Sequence, residues 1–261
     1  MVSDFIFDGR TLSSFGYILI FTNTDDMPNV SNMEMDTIKG ARNDRAYSVG
    51  YKYGENYSST YSVMKNTCEN PDDEYLTDAD VSELTRWLCR KQYKWFKFID
   101  DENDDEVWYK AMWTVSKEYA GDKIIGLNIA LHTNAPYGFS KEIIHTYTEP
   151  SFMVHVDSDE EGYIYPDVTI NILQSGTLRL TNVAENRTTQ LKNCVAGETI
   201  NIMGYEQQQI TSTVNHDYVN EYNYKFPRLC SKYMDYNNNF TVNLNCEIII
   251  KYREIRKVGL K

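Results

Sequence analysis

The groups that could do chemistry in this chain are its carboxylates, four histidines and five cysteines, and their spacing decides what is open to them. Acids are paired at Asp100-Asp101 and Asp104-Asp105-Glu106. General acid catalysis needs a sheltered carboxyl whose pKa burial has raised, and these fall where a hairpin tip is expected. They read as a solvated turn. Asp157-Ser158-Asp159-Glu160-Glu161-Gly162 puts oxygens at positions one, three and five and glycine at six, as a calcium loop does. Its twelfth position is Val168, where such a loop needs a bidentate glutamate, and strands flank it. An EF-hand is excluded, and only a loose calcium site in the turn stays open. His132, His145, His155 and His216 are dispersed, without an HExxH pair, and each reads as a strand-associated residue with a satisfied hydrogen bond. No GxSxG presents a serine, and neither GxxxxGK nor GxGxxG offers a phosphate cradle. Cys68, Cys89, Cys194, Cys230 and Cys246 form no CxxC and no zinc spacing; Cys89 reads as a small buried helix residue. The expectation is a non-enzyme with no catalytic residue, no metal ligand and no cofactor, its thiols reduced.

The remaining bulk properties point to a binding or structural role. The 261 residues suit two domains, and 21 tyrosines supply rings with an apolar body and a polar tip, suited to half-buried sheet faces and interfaces. Tyr218, Tyr222 and Tyr224 are open to two readings, packing within a sheet or stacking against sugar. A net charge of −12 repels phosphate, which argues against sequence-specific nucleic-acid binding. The acid excess is larger before residue 138 than after it, either as a solubilising face or as a wall that DNA slides past. The acidic start MVSDFIFDGR is not read as a signal peptide, and no apolar run reaches the roughly 18–20 residues of a membrane span.

The elements that must position these residues are mostly strands. Phe5 to Gly9 reads as a strand closing in an Asp-Gly turn, and Phe15 to Phe21 as its hairpin partner across a loose connection at Thr11 to Ser14. Residues Asn32 to Asn66 read as two or three strands around a polar excursion at Gly50 to Asn56, a candidate subunit-contact arm. A helix is expected where Asp80 caps and Glu83 completes a capping box. Val81, Leu84, Trp87 and Leu88 share its apolar face, and Arg90-Lys91 lie at the C-terminal end of its dipole. Aromatic strands at Trp95–Ile99 and Val107–Trp113 flank the acidic DDENDDE loop as a hairpin, and Ile124–His132 alternates as a half-buried strand. Ala135-Pro136-Tyr137-Gly138 breaks the pattern. Beyond it, short alternating strands separated by turn signals argue for a sandwich with no further helix.

The order of these segments resembles the distal tail proteins of siphophages. The residues that carry the likeness are Phe5-Ile6-Phe7-Asp8-Gly9 with Phe15 to Ile20, Arg86-Trp87-Leu88, Phe96-Lys97-Phe98, Tyr109-Lys110-Ala111 and Ala135-Pro136-Tyr137. In the second half they are Val156 to Gly162, Pro166 to Ile170, Gly197 to Ile202, Phe226-Pro227-Arg228-Leu229 and Ile248 to Arg253. The resemblance implies a mainly β protein: a β-barrel-like N-terminal domain with one α-helix at 1–140, then a galectin-like antiparallel β-sandwich at 141–261. Residues 253–261 are open to packing with either. It further implies a homo-hexameric ring that joins the tail tube to the tail tip and lets DNA pass, with tail-tube and tail-tip proteins as partners. The location it implies is the virion tail, after assembly in the bacterial cytoplasm. A carbohydrate- or receptor-binding module, with host-surface sugar as partner, is the alternative; a cell-wall glycoside hydrolase is a more distant one.

Overall fold

A computed structural model describes residues 4–21, 33–40, 44–67, 74–99, 106–205, 207–232 and 234–259. The chain divides into two compact units, residues 1–139 with 257–261, and residues 140–256.

The first unit is built on a seven-stranded antiparallel sheet. From edge to edge its strands are Arg10–Thr11, Asp4–Phe7, Lys94–Ile99, Tyr109–Ala120, Lys123–Thr133, Ser58–Lys65 and Tyr17–Phe21. Asp8 and Gly9 take φ of 49° and 79°, the left-handed pair that a two-residue hairpin needs, so Phe7 faces Arg10 directly. The expected partnership of this strand with Tyr17–Phe21 does not form. The 3-10 turn Ser13–Phe15, closed by Gly16 at φ 81°, redirects the chain, and Tyr17–Phe21 pairs with Ser58–Lys65 at the opposite edge.

The aromatic hairpin is present: Trp95 faces Lys110 and Phe96 faces Tyr109. Of the acidic loop, residues 100–105 lie outside the described residues, as does Cys68, while Glu106 pairs with Lys97 at 2.8 Å. Alternation sends Phe5, Phe7, Phe96, Trp113, Leu127 and Ile129 into one core. The ring centroids of Phe5 and Phe96 both lie 5.2 Å from that of Trp113.

The helix spans Asp78–Leu88 and buries Leu84, Trp87 and Leu88 against that core. Its start corrects the expected cap. Thr77 is the N-cap, its hydroxyl accepting from the Asp80 N–H at 3.2 Å, and the Asp80 carboxylate accepts from the Thr77 N–H at 2.8 Å. The capping box therefore sits three residues earlier than Asp80/Glu83, because threonine followed by aspartate satisfies both N–H groups as well as aspartate with glutamate would. At the other end Cys89 is the C-cap and is exposed, contrary to the buried position expected of it. Arg90 lies past the last turn, where its guanidinium meets Asp8 at 3.2 Å. Trp87 locks the helix to the sheet through its indole N–H, which donates to the Phe7 carbonyl at 3.0 Å.

The second unit is an antiparallel sandwich. One sheet orders Ile143–Tyr147, Cys246–Tyr252, Asp167–Ile172, Thr199–Met203 and Gln209–Ser212; the other orders Ser151–Ser158, Met234–Val242, Gly176–Asn182 and Arg187–Cys194. Both sheets turn alternate residues into one shared core, Val154, Leu180 and Phe240 from the second meeting Ile170, Ile200 and Ile248 from the first. A ribbon of Gly162–Ile164 and Leu229–Ser231 lies beside them. One turn of helix, Tyr218–Glu221, interrupts the expected run of strands. Four residues carry no readable apolar period, which is why the sequence conceals it.

Candidate assembly surface

The chemistry-bearing residues do not converge. Ser58 and His132 are cross-strand partners in the first unit, with Oγ and Nδ1 3.2 Å apart on an exposed face. In the second unit His155 bridges Asn237 and Asp235 at the surface, both at 3.0 Å. His145 lies beside the rings of Tyr147 and Tyr252. The calcium-like segment is engaged otherwise: Asp157 and Ser158 are the last two residues of a strand, the Asp157 N–H donates to Glu254 at 2.7 Å, and Ser158 is buried. Among the described residues no cluster of three His, Cys, Asp or Glu could hold a metal ion, and no helix is long and apolar enough to cross a membrane. Of the three singled-out tyrosines, Tyr222 is buried, its ring 5.5 Å from Phe226, and Tyr218 is half-buried beside His216. Tyr224 alone of the three is exposed.

His216 is the exception in its surroundings. Its side chain is 1% exposed, with Nε2 2.7 Å from Glu198 and Nδ1 2.6 Å from Glu221. Carboxylates on both ring nitrogens require protons on both, so the group is an imidazolium. Burial lowers its pKa, but the hydrogen bonds to Glu221 and Glu198 outweigh that and leave it raised. Glu198 is held by the Ser212 hydroxyl at 2.6 Å and the Val195 N–H at 2.8 Å, and Glu221 accepts from Asn193 at 2.6 Å. This clamp ties the short helix to the turn before Thr199–Met203. It holds the loop in place.

What the first unit presents to solvent is a hairpin. Met33–Lys39 pairs antiparallel with Ala46–Tyr53, and among the described residues the two strands pair with no other strand. The expected excursion at Gly50 to Asn56 is thus corrected: Gly50 to Tyr53 belong to a strand, and the projecting element is the whole hairpin. Its alternating β-branched, aromatic and polar residues favour a ribbon. Met35, Ile38, Tyr47, Val49 and Tyr51 are between 53% and 63% exposed. So many exposed large apolar side chains on one two-stranded element make it a candidate contact surface. The sequence shows the strands there but not their exposure, because alternation looks the same whether the apolar side meets a core or a partner.

The chain is a two-unit β protein with a buried core in each unit and exposed apolar side chains on its two-stranded ribbon and elsewhere. Its family is that of phage tail proteins, to which the chain belongs: residues 1–135 match the phage tail protein N-terminal domain and residues 137–252 the phage tail C-terminal domain. No curated protein matches the chain in sequence. Among solved structures it is similar to the Dit protein of phage SPP1, from the hub adsorption apparatus of phages infecting Gram-positive bacteria. The TM-score is 0.61 and the identity 11%, over 97% of this chain and 99% of that one. It is also similar to a chain of the phage P2 baseplate in its activated conformation with calcium, at TM-score 0.52 and 8% identity, over 97% and 98% of the two chains. The strontium form of that baseplate gives TM-score 0.52 and 9% identity, over 96% and 98%. At such identities the likeness is one of fold.

Proposed function

We propose that this phage tail protein is the hub between tail tube and tail tip, a homo-hexameric ring whose lumen lets DNA pass. The observation that carries the reading is the end-to-end fold match to the SPP1 hub protein, which takes in both units of this chain and nearly all of that one. Residues 1–139 with 257–261 form the ring and contact the tube; residues 140–256 are the peripheral sandwich on which other tail-tip proteins dock. The role is structural and not catalytic, and assembly takes place in the bacterial host before the tail is complete. The net charge of −12 fits a channel lining that does not grip the phosphate backbone. Electron microscopy of virions labelled with antibody to this chain tests the reading. Label confined to the tip end of the tube agrees with it; label along the tube or on the capsid overturns it.

A further inference from the structure

The end of the helix Asp78–Leu88 and the turn after Asp4–Phe7 meet around a charged cleft of about 290 Å³, lined by Asp8, Arg90, Lys91, Gln92 and Lys94. Three parts of the first unit frame it. The Trp87 indole bond to the Phe7 carbonyl seats the helix end beside Asp8. The Asp8 N–H donates to the Trp95 carbonyl at 3.0 Å, which brings the start of the strand Lys94–Ile99 to the same place. Asp8 itself stands at φ 49°, set by the turn. Its carboxylate takes the Arg90 Nη2 at 3.2 Å and the Lys94 Nζ at 3.9 Å. One carboxylate therefore faces three cations, Arg90, Lys91 and Lys94, a local balance of +2 in a chain of −12.

Local causes do not account for this surplus. A helix dipole favours cations near its C-terminal end, which covers Arg90 and Lys91, but Lys94 arrives from a strand. Pairing with Asp8 does not use up the guanidinium either, because the Arg90 Nε is buried without a hydrogen-bond partner. A buried donor without an acceptor is costly where it stands, and a guanidinium turned toward a second oxyanion gains two parallel N–H bonds. The Arg90 and Lys94 side chains are 38% and 36% exposed, so an incoming group reaches them without opening the fold. We propose that this cleft binds the side-chain carboxylates of a short acidic peptide segment on a partner protein. A surplus of two charges is matched by two neighbouring carboxylates. Nucleic acid fits less well, since its phosphates run on past the cleft into a surface whose net charge repels them. Binding of this kind is independent of the hub role.

The test titrates the full chain with a terminally blocked tri-aspartate peptide and follows amide and guanidinium NMR signals. In wild-type chain the peptide should move the signals of Asp8 and of residues 90–94 and leave those of the sandwich in place. Arg90→Gln combined with Lys94→Gln should weaken binding at least about tenfold, the loss of two charge-assisted contacts. Asp8→Asn removes the internal competitor and keeps a residue that tolerates the left-handed turn, so it should tighten binding by about threefold or more. Both variants should melt within about 3 °C of wild type, since the ion pairs they remove are partly exposed. Peptide shifts absent from both wild-type and Asp8→Asn chain at millimolar peptide overturn the site. Binding that survives the double substitution intact overturns it as well. Orthophosphate that moves these signals where the peptide does not marks a small-anion site and overturns the acidic-peptide occupant. A short DNA strand that binds the cleft more tightly than the peptide does the same.

Discussion

Replacing His216 with alanine removes the cation between two carboxylates and leaves the Glu198 side chain, itself 0% exposed, with only the Ser212 and Val195 donors. Removing one partner of a buried ion pair costs about 3–5 kcal/mol, because the other charge is stranded away from water. For a unit of this size that is a fall in melting temperature of roughly 12–20 °C. The loss depends on pH with a definite sign. The folded pKa of His216 lies above its ordinary value of 6.5, so its contribution is complete below that value and fades as pH rises through the folded pKa. The Glu221 carboxyl is held below its ordinary 4.5 by the Asn193 and His216 hydrogen bonds. Its contribution is present above 4.5 and fades as pH falls through the lowered value. The gap between wild type and variant should therefore be widest from pH 4.5 to 6.5 and narrow on the alkaline side. Differential scanning calorimetry across pH, with NMR titration of the imidazole, reads both. A fall of less than about 4 °C near pH 6, or a gap that stays constant as pH rises through the imidazole titration, refutes the clamp.

Three other perturbations test separate parts of the fold. Gly204→Ala places a Cβ 2.3 Å from the Pro166 carbonyl oxygen, and this backbone overlap should cost about 3 kcal/mol in urea unfolding. Thr77→Ala removes the hydroxyl cap of Asp78–Leu88 and should cost about 1 kcal/mol, whereas Glu83→Gln should change little. Burial pushes the thiols of Cys194 and Cys246 up to about 11, and burial with the neighbouring Glu185 pushes Cys230 up to about 12. All three should resist thiol reagents at neutral pH until the sandwich unfolds, as mass mapping of labelled peptides would report.

The parts of the fold written in local pattern were legible in the sequence. Val81, Leu84, Trp87 and Leu88 announced the helix, and the alternation at Val168–Ile172 and Ile248–Tyr252 announced sandwich strands, because a buried face imposes its period on the sequence. Contacts that depend on partners distant in the chain were not legible. Tyr17–Phe21 was assigned its neighbour in sequence, but the short turn at Ser13–Phe15 sends it to the far edge. His216 gave no signal because its carboxylates come from residues 198 and 221 at spacings no motif describes. The hairpin was read as a contact arm from polar character at Gly50 to Asn56, whereas its apolar residues mark it in the structure.

The most direct measurement is the native mass of the full chain by light scattering with negative-stain imaging of the assembled species, alone and mixed with the tail-tube protein. The account predicts a mass six times that of the chain and ring-shaped particles with an open centre. A monomer under both conditions, with no ring on the grid, would contradict it.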